Sequence, residues 1–244
     1  MVTRMKILVT GVHIDDCEGG VGGTTALLTR LGHEVVFLNI KQYQHYKPRN
    51  LKADAQSMHA AEVLGARKII LDYSGTKYYK NSEKTVRACE EIIADFKPDI
   101  LFMQRPLDNH IEHIECANTL REAIFAAAVD GVCPNEIYSY ENAPLQTMCY
   151  FQPHFYINID EVRDRKKECL STFAVEHAAG EKIWQSKAVC HEYRGLACGF
   201  PLAEAFMIVK YPDGGNDFHL RNLLAGKFRW AGTKMYYPQS GLAW

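Results

Sequence analysis

Apolar residues along this chain come in short dense runs, separated by longer stretches where they recur every three or four positions. That pattern predicts buried strands alternating with helices. Lys6 to Thr10 (KILVT), closed by Gly11, reads as a strand buried on both faces and as the first, central strand. Gly19, Gly20, Gly22 and Gly23 follow, and then Thr24 as the N-cap of a helix that carries Ala26, Leu27, Leu28 and Leu31 and ends at Gly32. Further strands are predicted at Glu34 to Asn39 (EVVFLN), Lys68 to Asp72 (KIILD) and Asp99 to Met103 (DILFM). The helices between them are Ala53 to Leu64, closed by Gly65, then Ser82 to Phe96 and Glu112 to Val129. From Pro134 to Pro153 the periodicity fades. It returns as a strand over Phe155 to Ile159, a helix over Asp160 to Ala178 and a late strand over Ala205 to Val209, and the tail from Pro212 reads as irregular. Such alternation calls for right-handed crossovers and an α/β fold: a doubly wound, Rossmann-like, mostly parallel sheet with helices on both faces. Without a repeat or a linker rich in Pro, Gly or Ser, residues 1–244 are read as a single domain with a less regular C-terminal segment from about 134.

Composition narrows the function classes. With 47% hydrophobic and 23% charged residues the chain is an ordinary globular one. Its 28 Lys and Arg against 29 Asp and Glu leave no basic surplus for a phosphate backbone, so nucleic acid is not an expected partner. No run approaches the ~18 to 20 apolar residues of a membrane span. The apolar run after Lys6 stops within a few residues, too soon for a signal-peptide core. The eight cysteines form no C-x-x-C pair, which suits reduced thiols and a cytoplasmic protein.

In open α/β sheets ligands bind beyond the carboxyl ends of the strands, where the strand order reverses. Two clusters fall there. Gly11-Val12-His13-Ile14-Asp15-Asp16-Cys17-Glu18 follows the first strand, and Pro106-Leu107-Asp108-Asn109-His110-Ile111-Glu112-His113 follows the fourth. Each combines imidazoles with carboxylates, the donors that a borderline cation such as zinc takes, and His13, Asp16 and His113 can supply a three-ligand catalytic set. His110 and His113, three apart at a helix start, project from similar faces, so one can bind metal while the other faces substrate. Helix capping and mutual pairing are the competing reading of each cluster by itself.

His13-x-Asp15-Asp16, Gly22-Gly23-Thr24, Leu31-Gly32-His33-Glu34-Val35 and Pro106-x-Asp108-x-His110-x-Glu112-His113 resemble the signature of the LmbE-like (PIG-L) zinc-dependent de-N-acetylases. Weaker similarities are Ala60-Ala61-x-x-Leu64-Gly65 and Ala203-Glu204-Ala205-Phe206. The resemblance implies hydrolysis of an N-acetyl group on a small-molecule amino sugar or sugar conjugate, in a protein that is often a homo-oligomer. It also implies that His13, Asp16 and His113 hold zinc, or another divalent ion such as Fe2+, with Asp15 as general base. His110 would stabilise the oxyanion and protonate the leaving amine, and Glu112 would orient His110. Asp108, Lys52 and Glu204 are the implied substrate-side residues. Lys52 stands where the family often has Arg. Ile14, Cys17 and Glu112 replace the usual Pro, Glu and Asp, without removing a ligand.

Around the site, Lys41 to Asn50 (KQYQHYKPRN) and Tyr73, Tyr78 and Tyr79 are candidate substrate contacts, since aromatic faces stack on sugar rings. His191 and Arg194, with Glu204, approach through the C-terminal segment, with surface ion pairing as the rival reading. Two other functions compete. A nucleotide-binding protein also has strand, glycines and helix, but Gly19-Gly20-x-Gly22-Gly23 is neither G-x-G-x-x-G nor a P-loop, and Asp15 and Asp16 are negative where phosphate would lie. A metal-containing sugar-binding protein without turnover is opposed by intact Asp15 and His110.

Overall fold

The computed structural model describes residues 3–40, 50–71, 78–142, 151–175, 180–215 and 217–232, with the backbone alone for 174, 175, 180 and 181. Eight strands form one sheet: β1 (Lys6–Gly11), β2 (Glu34–Asn39), β3 (Arg67–Ile70), β4 (Ile100–Met103), β5 (Glu136–Tyr140), β6 (Phe155–Asn158), β7 (Ala203–Lys210) and β8 (Phe228–Trp230). Helices are α1 (Asp16–Arg30), α2 (Leu51–Val63), α3 (Glu83–Phe96), α4 (Ile111–Val129), α5 (Arg163–Ser171), α6 (Gly180–Cys198) and α7 (His219–Leu223). The strand order is β3-β2-β1-β4-β5-β7-β6-β8. The first five are parallel, with Ile7 opposite Val35 and Ile100, whereas β7, β6 and β8 each pair antiparallel with the strand before them in this order. This is the doubly wound α/β sheet that the sequence predicts.

Period-two alternation divides the core. Ile7, Val9, Phe37 and Phe102 pack on one face with Leu27, Ala60 and Leu170, while Leu8, Val36, Leu38 and Leu101 pack on the other with Cys89, Ile93 and Leu120. Asn50 and Ser82 cap α2 and α3 through their side chains, and Gly32 and Gly65 take left-handed backbone after α1 and α2.

Four expectations are corrected. α1 begins at Asp16, so Thr24 is no N-cap but lies buried inside the helix. The glycines are interior because neighbours press on them: a Cβ at Gly20 would strike the Tyr140 ring, and one at Gly23 would come within 2.7 Å of Ile159. Residues 136–140 form β5, hidden from periodicity because its polar groups are satisfied internally; Glu136 accepts from Tyr138 and from the backbone of His219 and Leu220. α6 escapes notice for the same reason, since it buries Lys187, His191 and Arg194. The helix expected over Asp160 to Ala178 is divided into a 3-10 turn (Asp160–Val162), α5 and a second 3-10 turn (Thr172–Val175), and the tail contributes β8. The seven described cysteines are free, and among the described residues no helix is long and apolar enough to cross a membrane.

Candidate active site

The chain leaves β1 toward β2 and returns to place β4 on the other side of β1, so the loops after β1 and β4 meet at the switch point. Asp16 is the hub. Its Oδ2 accepts the backbone N–H groups of Val12 (3.0 Å) and His13 (2.7 Å) and Nε2 of Gln104 (2.8 Å). Its Oδ1 faces His113 Nε2 at 3.6 Å and accepts from Asn142 Nδ2. His13 Nδ1 lies 3.4 Å from Asp16 Oδ2. The ligand atoms of His13, Asp16 and His113 all lie within 4.8 Å of one another, and all three residues are buried. These are two imidazoles and one carboxylate, the donor set of a borderline cation.

The back of each histidine is held by its own carboxylate. Asp108 Oδ2 is 3.0 Å from His113 Nδ1, and Glu112 Oε2 is 3.0 Å from His13 Nε2. Carboxylates behind metal-binding imidazoles fix the ring and its tautomer and raise its basicity. Each of these carboxylates has further partners. Asp108 serves His113 and the helix start, where its Oδ1 accepts the His110 N–H at 2.8 Å. Glu112 reaches across to His13, while its other oxygen accepts the Tyr79 N–H at 2.5 Å; its backbone N–H donates to His110 Nδ1 at 3.3 Å, and a carboxylate oxygen lies within 4.8 Å of a His110 ring nitrogen.

Electrostatics agree with a site built to concentrate charge. Burial opposes ionisation of Asp16, but the charges and hydrogen bonds of His13 and His113 outweigh it and hold the carboxyl well below its ordinary range. For His13 burial is likewise overcome, by Asp16 and Glu112, and its pKa stands at about 10. His110 goes the other way, lowered by burial and by His113 and His13; its ring stacks on His113 at 4.5 Å and meets His13 edge-on at 4.9 Å. Asp15 precedes α1, half-buried, with no capping hydrogen bond from its side chain.

The remaining predicted residues divide. Lys52 is exposed on the first turn of α2, and among the described residues no polar contact joins its ammonium to the cluster. Glu204 does not face the site: it is fully buried behind α1, accepting from the backbone of Gly23 (2.7 Å) and Thr24 (2.8 Å) and from Lys166 (2.5 Å). His191 joins that buried group through Lys166, and Arg194 is clamped by Glu141 in a two-pronged pair, so neither is a surface ion pair. Tyr79 is buried against Thr119, Tyr78 is half exposed, and Tyr73 and 41–49 lie outside the described residues. Cys17 is buried under β1, its thiol pushed well up by burial, and stands outside the ligand set. Sequence reasoning missed Gln104 and Asn142, whose amides carry no motif; the one available signal is that Gln104 directly follows β4 and Asn142 comes two residues after β5, both at the ligand end of the sheet. The glycines cradle no phosphate, because protein side chains fill the space beside them.

A family model described as PIG-L, GlcNAc-PI de-N-acetylase, matches residues 8–124. The chain carries a PIG-L family domain over those residues. That domain contains His13, Asp15, Asp16, Asp108, His110, Glu112 and His113, whereas Asn142 comes from the sequence beyond it. The diacetylchitobiose deacetylase of Thermococcus kodakarensis is 24% identical over 201 residues, covering 74% of this chain and 72% of the relative. Among solved structures, the N,N'-diacetylchitobiose deacetylase of Pyrococcus horikoshii superposes with a TM-score of 0.65 at 19% identity, covering 84% of each chain. GalB, the 4-carboxy-2-hydroxymuconate hydratase of Pseudomonas putida KT2440, gives 0.70 at 18% identity over 85% of this chain and 97% of its own. The structural likenesses establish the α/β fold.

Proposed function

We propose that this protein is a metal-dependent N-deacetylase, converting an N-acetylated amino sugar or N-acetylglucosaminyl conjugate and water into acetate and the free amine. The observation that carries the reading is the buried set of His13, Asp16 and His113 at the switch point, with each imidazole backed by a carboxylate and Asp15 free of capping duty beside it. The PIG-L domain and the deacetylase relatives supply the reaction class and the sugar. Zinc is the cation that suits the donor set, with Fe2+ as the alternative.

His13, Asp16 and His113 would hold the ion, which when bound supplies Lewis acidity toward water and the acetamide carbonyl. Asp15 takes a proton from the attacking water and returns it to the nitrogen as the C–N bond breaks. His110 accepts the Glu112 N–H at Nδ1, which leaves its proton on Nε2 as a neutral donor for the oxyanion. Glu112 and Asp108 keep the two ligand rings in place. The protein is read as cytoplasmic and homo-oligomeric.

Acetate release from N-acetylglucosamine, diacetylchitobiose and N-acetylglucosaminyl conjugates, by chelated and by zinc-restored protein, tests the proposal. Release that disappears on chelation and returns with zinc supports it. Full activity without metal, or water addition to a carbon–carbon double bond in place of amide hydrolysis, overturns it.

A further inference from the structure

Asn142 follows β5 and is buried against the candidate ligands, yet the mechanism above leaves it without a task. Its carboxamide is oriented from α6, where the buried ammonium of Lys187 donates to Asn142 Oδ1 at 3.1 Å. An ammonium can only donate, so this contact fixes the amide one way round, with oxygen toward Lys187 and nitrogen toward the ligands. Lys187 reaches that position across Gly19, where a Cβ would come within 2.8 Å of its Cε and 3.0 Å of its Nζ. The absent side chain in α1 is what admits the lysine.

Asn142 Nδ2 has two protons; it donates to Asp16 Oδ1 and lies 3.2 Å from His113 Nε2, which accepts when the His113 proton is on Nδ1. In the tautomer with the His113 proton on Nδ1 toward Asp108, Nε2 carries the lone pair that a metal would take. A metal on that lone pair would leave one Asn142 N–H without its acceptor, buried beside two ligand atoms that are 3.6 Å apart. A buried donor without a partner is costly, and an acetamide oxygen held at the metal would lie next to those same ligands.

We propose that Asn142 is a second oxyanion donor for deacetylation, and that Lys187 is the positioning residue that keeps its N–H groups turned toward the ligands. The proposal rests on the N-deacetylase reading. As water adds to the carbonyl, negative charge gathers on the acetamide oxygen, and it leaves again when the C–N bond breaks. The Asn142 N–H strengthens its hydrogen bond in between and transfers no proton.

The test compares zinc-loaded wild type with Asn142→Ala, Asn142→Asp and Lys187→Met, reading acetate release and the calorimetric affinity for acetohydroxamate, a small oxyanion that needs no turnover to bind. Both Asn142 variants should hold one zinc at saturating metal and bind acetohydroxamate ~10- to 100-fold more weakly, the range of a hydrogen bond to a charged group. Their kcat should fall ~10²- to 10³-fold with KM within about twofold. Asp matches Asn in size but cannot donate, so it should behave like Ala. Lys187→Met should give a smaller loss that vanishes in the Asn142→Ala background. Wild-type kcat in Asn142→Asp at saturating zinc, a loss confined to KM, or unchanged acetohydroxamate affinity overturns the assignment. A wild type that releases no acetate from any substrate overturns the deacetylase reading by itself, while the acetohydroxamate comparison still decides the donor.

Discussion

Asp108→Asn separates a carboxylate that serves a metal-binding imidazole from one that contacts substrate. Both Asp108 and His113 side chains are 3% exposed, and the carboxylate accepts at both oxygens, from His110 N–H at 2.8 Å and at 3.0 Å from His113 Nδ1. Asparagine preserves the shape but offers one acceptor and one donor, so one of the two contacts becomes a meeting of donors. If the amide nitrogen faces His113, the ring relieves the conflict by moving its proton to Nε2, the atom that the metal needs. Loss of such a backing group typically lowers metal affinity ~10- to 100-fold, which corresponds to ~1.4 to 2.8 kcal/mol. Competition for zinc against a chromophoric chelator at neutral pH measures this directly. Glu112→Gln should give a loss of the same order through His13 Nε2, and kcat at saturating zinc should change far less than zinc affinity in both variants. An Asp108→Asn protein with wild-type zinc affinity and a raised KM would refute the argument and return Asp108 to the substrate.

Asp15→Asn should keep a full complement of zinc while turnover falls ~10²- to 10⁴-fold, as for loss of a general base, whereas Asp16→Ala should lose the metal itself; elemental analysis beside acetate release checks both. His110→Ala should retain zinc and slow turnover ~10²- to 10³-fold, and metal loss matching that of His113→Ala would show the two histidines to be misassigned. Gly20→Ala drives a methyl into the Tyr140 ring and should cost about 1 to 3 kcal/mol, lowering Tm by ~2 to 4 °C for each of these. Helix propensity alone predicts a gain of ~1 kcal/mol there, so the sign of the thermal shift decides.

What was legible in the chain follows from which physics is local. Apolar runs such as Lys6 to Thr10 and Glu34 to Asn39 declare themselves because a strand buried on both faces leaves little room for polar residues. The two histidine and carboxylate clusters were legible because they sit in short loops at strand ends, where the fold class already puts ligands. Which carboxylate stands behind which imidazole was not legible. Asp108 and Glu112 lie within a few residues of both His110 and His113, and only the approach of β1 brings His13 within reach of Glu112. β5 and α6 stayed hidden because their buried polar groups find partners far along the chain, as Arg194 does in Glu141, and a single sequence carries no sign of such pairing. The glycines of α1 misled for a related reason: their small size answers to Tyr140, Ile159 and Lys187, all more than a hundred residues away.

The buried grip on α1 makes the ligand loop a joint product of both halves of the chain. Lys166 takes the carbonyl of Gly19 at 2.9 Å while Glu204 takes the N–H groups one turn later, so the helix that starts at Asp16 is clasped from behind by residues far beyond position 124. The matched half is therefore no portable module. Transplanted onto another C-terminal half it would bring its histidines and carboxylates, but α1 would seat against foreign side chains, and the spacing of Asp16 from His113 would depend on whether those side chains restored the clasp. A chimera joined near residue 124 should need Lys166, Glu204 and Lys187 carried across as a set before the first helix settles at its native depth.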